Sequence, residues 1–202
     1  MKLHFAPQSP YARKVMIVAH ELGCLGEMET VISAAHPVQR NAELIARNPL
    51  GQIPALELAD GSVLHDSRVI CEYLDDRYGG AIFPLAGPAR WRALTEQSLG
   101  DGMLAGALLA RYETAARPPE LQWRDWLDGQ LDKARTGLAA VERDAASLAG
   151  RIDIGTITIA CALGYLDLRF PDFGWRDRFP QVAEWEVQFG ERTSLKATKP
   201  PA

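Results

Sequence analysis

The sequence predicts an α/β unit over residues 1–79 and an all-α unit over 88–202, joined by a link at 80–87. Three observations predict this division. Short β-like runs alternate with helical ones as far as Tyr78. The stretch "GGAIFPLAGP" then interrupts all periodicity with glycine and proline. Almost everything beyond it carries helical spacing.

In the first unit, "KLHFA" has the composition of a strand and "PYARKVMIVAHEL" the spacing of a helix. "METVIS" follows as a second strand and "AELIAR" as a short helix. "IPALEL" and "SVLH" are separated by Asp60-Gly61, a strong signal for a two-residue hairpin turn. The helix "SRVICEYLDDRYG" closes the unit. This order, strand-helix-strand-helix-strand-strand-helix, is that of a thioredoxin-like domain with a small mixed sheet.

In the second unit, helices are predicted near 88–115, 120–149, 153–169 and 180–190, with breaks at "RPPE", "AGRIDIG" and "RFPDFGW". Asp153 is placed to cap the third of them, and Ile152 and Ile157 have the spacing of a hydrophobic staple. The tail "KATKPPA" is predicted to fray.

Composition narrows the function classes. Of 202 residues, 47% are hydrophobic, enough to bury a sizeable core, and 24% are charged with a formal net charge of −4. With an isoelectric point near 5.6, no basic field exists to draw in nucleic acid or anionic lipid. No apolar run approaches membrane-spanning length, and the N-terminal residues lack the uninterrupted apolar core of a signal peptide. The three cysteines, Cys24, Cys71 and Cys161, are odd in number and set among apolar residues, so they read as reduced core residues of a cytoplasmic protein. None of the four histidines has metal-ligand spacing with another histidine or a cysteine, and no metal is predicted.

The most informative stretch is "QSPYARKV", residues 8–15. Ser9 before Pro10 is a good helix cap, since proline suits the first helical position, and Gly23 supplies the stop. A disulfide oxidoreductase needs a low-pKa cysteine at such a helix start, usually with a second three residues on, but Ser9 and Ala12 occupy those places. The serine hydroxyl is still able to act on a sulfur that a ligand brings.

Taken in order, "FAPQSPYARKVMIVAHEL", "NPLGQIPALEL" and "LHDSRVICEYLDDRY" resemble the N-terminal domain of the cytosolic glutathione S-transferases, in particular bacterial members with a serine at this turn. "CALGYLDLRF" and "ERTSLKATKP" are similar to the helical domain of bacterial members, so the resemblance covers nearly the whole chain. It implies that Ser9 hydrogen-bonds the glutathione sulfur and stabilises its thiolate. Phe5 lies near where tyrosine-using classes carry their phenol, so no tyrosine alternative is evident there.

The physics allows this role. A free thiol with a pKa of about 8.5 is roughly 3% ionised at neutral pH, and lowering that value by about 2 requires roughly 2.7 kcal/mol. A hydrogen bond to a charged group contributes about 1.5–3 kcal/mol and a helix N-terminus about 0.3–2. One hydroxyl at a helix start is sufficient.

The resemblance also implies the rest of the glutathione site. Pro54 is the cis-proline of the fold, leaving the main chain of Ile53 to pair with the cysteinyl backbone by strand addition. Asp66 supplies an acid for the γ-glutamyl ammonium, and Ser67 at a helix start supplies an anion site, with Arg68 extending the match. Gln52 and either His36 or Gln39 are candidates for the glycine end. A hydrophobic electrophile would occupy a pocket between the domains, lined by Ala6, Pro7, Tyr11, Met103, Leu104, Leu108 and Tyr112, with Tyr165 a further candidate. The family's architecture implies a homodimer. Isomerisation, dehalogenation or peroxide reduction on the same glutathione site, or a non-catalytic ligand-binding role, are the alternative functions.

Overall fold

The computed structural model describes residues 1–201. At its centre β1 (Lys2–Phe5) pairs in parallel with β2 (Glu29–Ile32) and antiparallel with β3 (Ala55–Glu57), and β4 (Val63–Leu64) closes the far edge, giving the order β2-β1-β3-β4. Three helices complete this thioredoxin-like unit: α1 (Pro10–Glu21), α2 (Ala42–Ile45) and α3 (Ser67–Tyr78). α1 and α3 pack against each other, and Leu3, Val15, Val18, Leu56, Ile70 and Leu74 are all fully buried. Each contributes about 1.5–3 kcal/mol through removal from water.

The turn between β3 and β4 departs from expectation. Leu58 and Ser62 face each other, with the Leu58 N–H donating to the Ser62 carbonyl, so the loop is the three residues 59–61 rather than two. Gly61 takes a φ of +85°, the left-handed residue that follows a tight turn in a three-residue hairpin. Asp60 reinforces it by accepting from the Ser62 amide at 3.0 Å.

After α3, Gly79 stops the helix with a φ of +63°, and the link is drawn back by Asp75. The buried Asp75 carboxylate accepts from the amides of Ile82 (2.9 Å) and Phe83 (3.0 Å), and the Ile82 carbonyl accepts from the amide of Ile154 (2.9 Å).

The all-α unit comprises α4 (Gly87–Ala115), α5 (Arg124–Arg143), α6 (Ile154–Arg169), α7 (Trp175–Arg178), α8 (Pro180–Gly190) and α9 (Thr193–Ala197). α6 is apolar nearly all round and is the hub: α4 packs along it, and α1 packs on it from the first unit. Close packing depends on small residues. A Cβ on Gly106 would sit 2.7 Å from the Gln130 carbonyl oxygen of α5, and one on Gly100 would sit 3.1 Å from the backbone of Thr158 on α6. The start of α6 carries a capping box, Asp153 accepting from the amide of Thr156 (3.1 Å) while the Thr156 hydroxyl accepts from the amide of Asp153 (3.0 Å).

One expectation is corrected here. The helix predicted over 120–149 is confined to α5, because Glu113 of α4 captures the amide of Trp123 (2.8 Å) and holds residues 119–121 as a separate tight turn. At the other end, Asp144 leaves helical geometry and Ala145–Leu148 form another such turn. The residues just before the predicted tail at 196–202 are firmly packed, whereas most of the described tail residues are exposed. Leu195 is buried, Arg192 pairs with Glu21 of α1 at 2.8 Å, and the Ser194 hydroxyl bonds the same carboxylate. Ala202, the last residue of that predicted tail, lies outside the described residues.

Candidate functional site

Ser9 sits in the turn between β1 and α1, its amide donating to the Ala6 carbonyl at 2.9 Å. Its backbone is extended (φ −78°, ψ 119°), Pro10 fills the first helical position, and Ser9 Oγ accepts from the Ala12 amide at 3.3 Å. A hydroxyl has one proton and two lone pairs. The cap uses a lone pair, and the Ser9 proton has no acceptor among the described residues. Capping the helix and donating to a ligand are therefore compatible in one side chain. Ala12, where a second sulfur would stand in an oxidoreductase, is fully buried.

The protein's own thiols offer no alternative nucleophile. Cys24, Cys71 and Cys161 are free and buried. Burial pushes each of these thiols up from its ordinary value, Cys161 to about 11, so they stay protonated at neutral pH.

Opposite the Ser9 turn, β3 begins at a cis Ile53–Pro54 peptide bond. His4 of β1 pairs with Ala55, which places Pro54 one register step on, beside Phe5 at the end of the strand that leads into Ser9. The main-chain N–H and C=O of Ile53 have no hydrogen-bond partner among the described residues. The preceding loop is held by the buried Asn48, which donates to the Gln52 carbonyl (2.8 Å) and accepts from the Leu50 amide (3.1 Å). Gln52 itself is exposed.

The exposed His36 uses Nδ1 to accept from the amides of Val38 (3.2 Å) and Gln39 (3.0 Å), closing its own turn. Arg40 ties that turn to the Gln52 loop by donating to the Pro49 carbonyl at 2.9 Å. Sequence reasoning missed Arg40, since nothing in its spacing distinguishes it from a solvated arginine.

Asp66 caps α3, accepting from the Arg68 amide at 2.9 Å and pairing with its guanidinium at 2.8 Å. The Arg68 hydrogen bond holds the Asp66 carboxyl below the usual carboxylate range, so it is an anion at neutral pH. Ser67, at the first position of α3, is buried.

Beneath these elements lies a charge pair that sequence reasoning also missed. Lys14 of α1 is fully buried and pairs with Asp101 of α4 at 2.7 Å, fixing the two units against each other. Tyr11 donates to the Asp101 carbonyl at 3.5 Å. Burial pushes its phenol up, assisted by Asp101, Tyr165 and Asp66, so Tyr11 is a neutral donor in this place.

The residues predicted to line a pocket between the units differ in burial. Ala6, Pro7, Tyr11, Leu108 and Tyr112 are half-buried. Leu104 is fully buried, and Met103 turns toward α5, its sulfur 2.6 Å from where a Cβ on Gly137 would lie. Both are buried where α4 is sandwiched between helices. Tyr165 instead reaches the site: with Pro7, Ser9, Arg13 and Leu168 it lines a recess of about 10 Å³, room for one water-sized body. A larger groove of about 710 Å³ runs along α4 and α5 and includes no predicted site residue except Met103. Among the described residues no group of three or more His, Cys, Asp or Glu is arranged to hold a metal ion, and no helix is long and apolar enough to cross a membrane.

Comparison with known proteins gives this arrangement a family. Residues 8–77 match the glutathione S-transferase N-terminal domain, and residues 124–186 the glutathione S-transferase C-terminal domain. The chain belongs to the glutathione S-transferase family. It is 30% identical over 205 residues to the uncharacterised glutathione S-transferase-like protein YibF of Escherichia coli K12, spanning 100% of this chain and 99% of that one. A glutathione transferase family member from Pseudomonas fluorescens Pf-5, solved with bound glutathione, is 49% identical with a TM-score of 0.97, covering 100% of this chain and 99% of that one. A second structure of a Pf-5 glutathione transferase family member, with bound S-(propanoic acid)-glutathione, is 48% identical with a TM-score of 0.92, covering 99% of both. A glutathione S-transferase from Methylobacillus flagellatus KT with bound glutathione is 33% identical, with a TM-score of 0.89 over 99% of both chains.

Proposed function

We propose that this glutathione S-transferase family member binds glutathione against the cis Ile53–Pro54 edge, ionises it beside Ser9 and transfers it to an electrophile held between the two units. The observation that carries this reading is the Ser9 hydroxyl, engaged as a helix cap through a lone pair while its proton is uncommitted, in the turn that follows the strand paired with β3, whose preceding residue Ile53 has unpaired backbone. The cysteinyl backbone of glutathione would add to Ile53 as an extra strand, and the sulfur would meet both the Ser9 proton and the N-terminus of α1. Asp66 would receive the γ-glutamyl ammonium and the amides at the start of α3, with Ser67, the carboxylate. Arg68 neutralises part of the Asp66 charge, and Gln52 with His36 or Arg40 would meet the glycine end.

The thiol proton passes to solvent on ionisation, the thiolate sulfur attacks the electrophilic carbon, and the leaving group departs with the bonding pair. Proximity supplies most of the remaining acceleration. Ala6, Pro7, Tyr11, Leu108, Tyr112 and Tyr165 would form the acceptor wall. The relatives solved with glutathione and with S-(propanoic acid)-glutathione support a site that holds the tripeptide and leaves room on its sulfur. We place the protein in the cytoplasm as a homodimer, with detoxification as its role.

The deciding experiment is the pKa of enzyme-bound glutathione, read from thiolate absorbance against pH in the native protein and in Ser9→Ala. The expected result is a value well below the free thiol's in the native protein that climbs back in the variant. Glutathione bound with an unshifted thiol would remove the catalytic reading and leave a binding protein.

A further inference from the structure

Three arginines near the candidate acceptor space have no carboxylate partner. Arg13, Arg111 and Arg169 form no ion pair among the described residues, although most other arginines of the chain do. The Nε atoms of Arg13 and Arg169 are buried and have no hydrogen-bond partner. A buried donor left unmade is costly, and a buried cation more so, which marks such groups as provision for something absent from the protein itself.

Helix geometry brings them to one place. Arg169 follows Tyr165 by four residues on α6, and Arg111 follows Leu108 by three on α4, so each arginine shares a face with a residue of the acceptor wall. α4 and α6 pack along each other, and Tyr165 lines the recess that also holds Ser9 and Arg13. The charges of Arg169 and Arg111 both oppose the effect of burial on the Tyr165 phenol. Arg13 is already anchored, donating to the Leu195 carbonyl at 3.2 Å, with Gly164 leaving space for its guanidinium. Among the described residues neither Arg169 nor Arg111 donates to a backbone carbonyl, and Arg169 lies within reach of the Tyr165 phenol.

We infer that the electrophile this site accepts carries a carboxylate, bound by Arg169 and Arg111 beside Tyr165 and Tyr112, with the reacting carbon directed at the sulfur above Ser9. The planar fork of a guanidinium fits a carboxylate with two parallel hydrogen bonds, and a half-buried position strengthens them over exposed pairs. Aromatic walls alone would favour neutral electrophiles; the paired arginines add the preference for an acid. This inference rests on the glutathione reading above and names the substrate class for it.

Calorimetric binding of three probes tests it: glutathione, S-(2-carboxyethyl)glutathione, and the amide of the same shape, S-(2-carbamoylethyl)glutathione. The expected result is that the acid binds about tenfold more tightly than the amide. In Arg169→Gln that ratio should fall to near one, in Arg111→Gln it should fall part of the way, and in Arg169→Lys part of the preference should survive. Equal binding of acid and amide to the native protein, with glutathione itself bound, overturns this inference alone, and the comparison needs no variant to fold. A preference that persists through both glutamine substitutions overturns it too. Failure of glutathione itself to bind overturns the parent reading and this one with it.

Discussion

Asp75 and Glu21 are carboxylates that secure chain segments from elsewhere in the fold. Asp75 accepts two buried amides from the link. Asp75→Ala should therefore cost about 1–3 kcal/mol for each stranded amide. In thermal unfolding this reads as a drop of about 2–4 °C per kcal/mol.

Glu21 gives a pH dependence instead. Its hydrogen bond from Arg192 is the main influence holding its carboxyl below the ordinary value, with Ser194 assisting and burial opposing. The folded state therefore binds the proton less readily than the unfolded chain. The resulting stability is present above the unfolded carboxylate's pKa, about 4.3, and is lost as pH falls through the folded value. Denaturant midpoints measured from pH 7 downward should decline on the acid side, and Glu21→Gln should flatten that decline while lowering stability at pH 7.

Among the elements, the contacts of α4 make the strongest demands on sequence. At Gly106 a methyl group would meet the carbonyl oxygen of Gln130, which is backbone and cannot rotate away. Gly106→Ala should push α4 and α5 apart and cost about 1–3 kcal/mol, although alanine is the better helix former. Urea denaturation decides this, since a stabilised variant would mean that the two helices can slide. The same helix explains why the pocket was only partly legible in sequence. Met103, Leu104, Leu108 and Tyr112 share one apolar stripe, and nothing in periodicity tells the residues sandwiched between helices from those that reach the space beside Ser9. By contrast Ser9-Pro10, Asp66-Ser67 and Asp153 announced their helix starts because a cap is a local device, written within four residues. The hairpin was misjudged by one residue since Asp-Gly serves both loop lengths, differing only in whether glycine takes the bulge position.

At the scale of the whole molecule, the two units and their order followed from the change in periodicity after Tyr78, and the sheet followed from the alternation of its elements. What sequence did not disclose were the long-range polar contacts. Lys14 reads as an ordinary surface lysine on an amphipathic helix until Asp101, 87 positions later, is found beneath it. Replacing either partner alone strands a buried charge, so Lys14→Met should destabilise by about 3–5 kcal/mol, and the double variant with Asp101→Leu should recover most of it. A double variant no better than the single one would mean that the pair does more than hold the units together.

The contacts made by the C-terminal helix bear on how the chain is born. Arg13 waits for a carbonyl 182 positions downstream, and Glu21 for partners 171 and 173 positions downstream. At the usual pace of synthesis that interval is on the order of ten to thirty seconds. Once residues 1–78 have been made, every element of the first unit is present, but the partners of Arg13 and Glu21 on the C-terminal side of α1 are not. The nascent protein therefore passes through a stage in which the Ser9 turn has been made while the brace behind that turn has not.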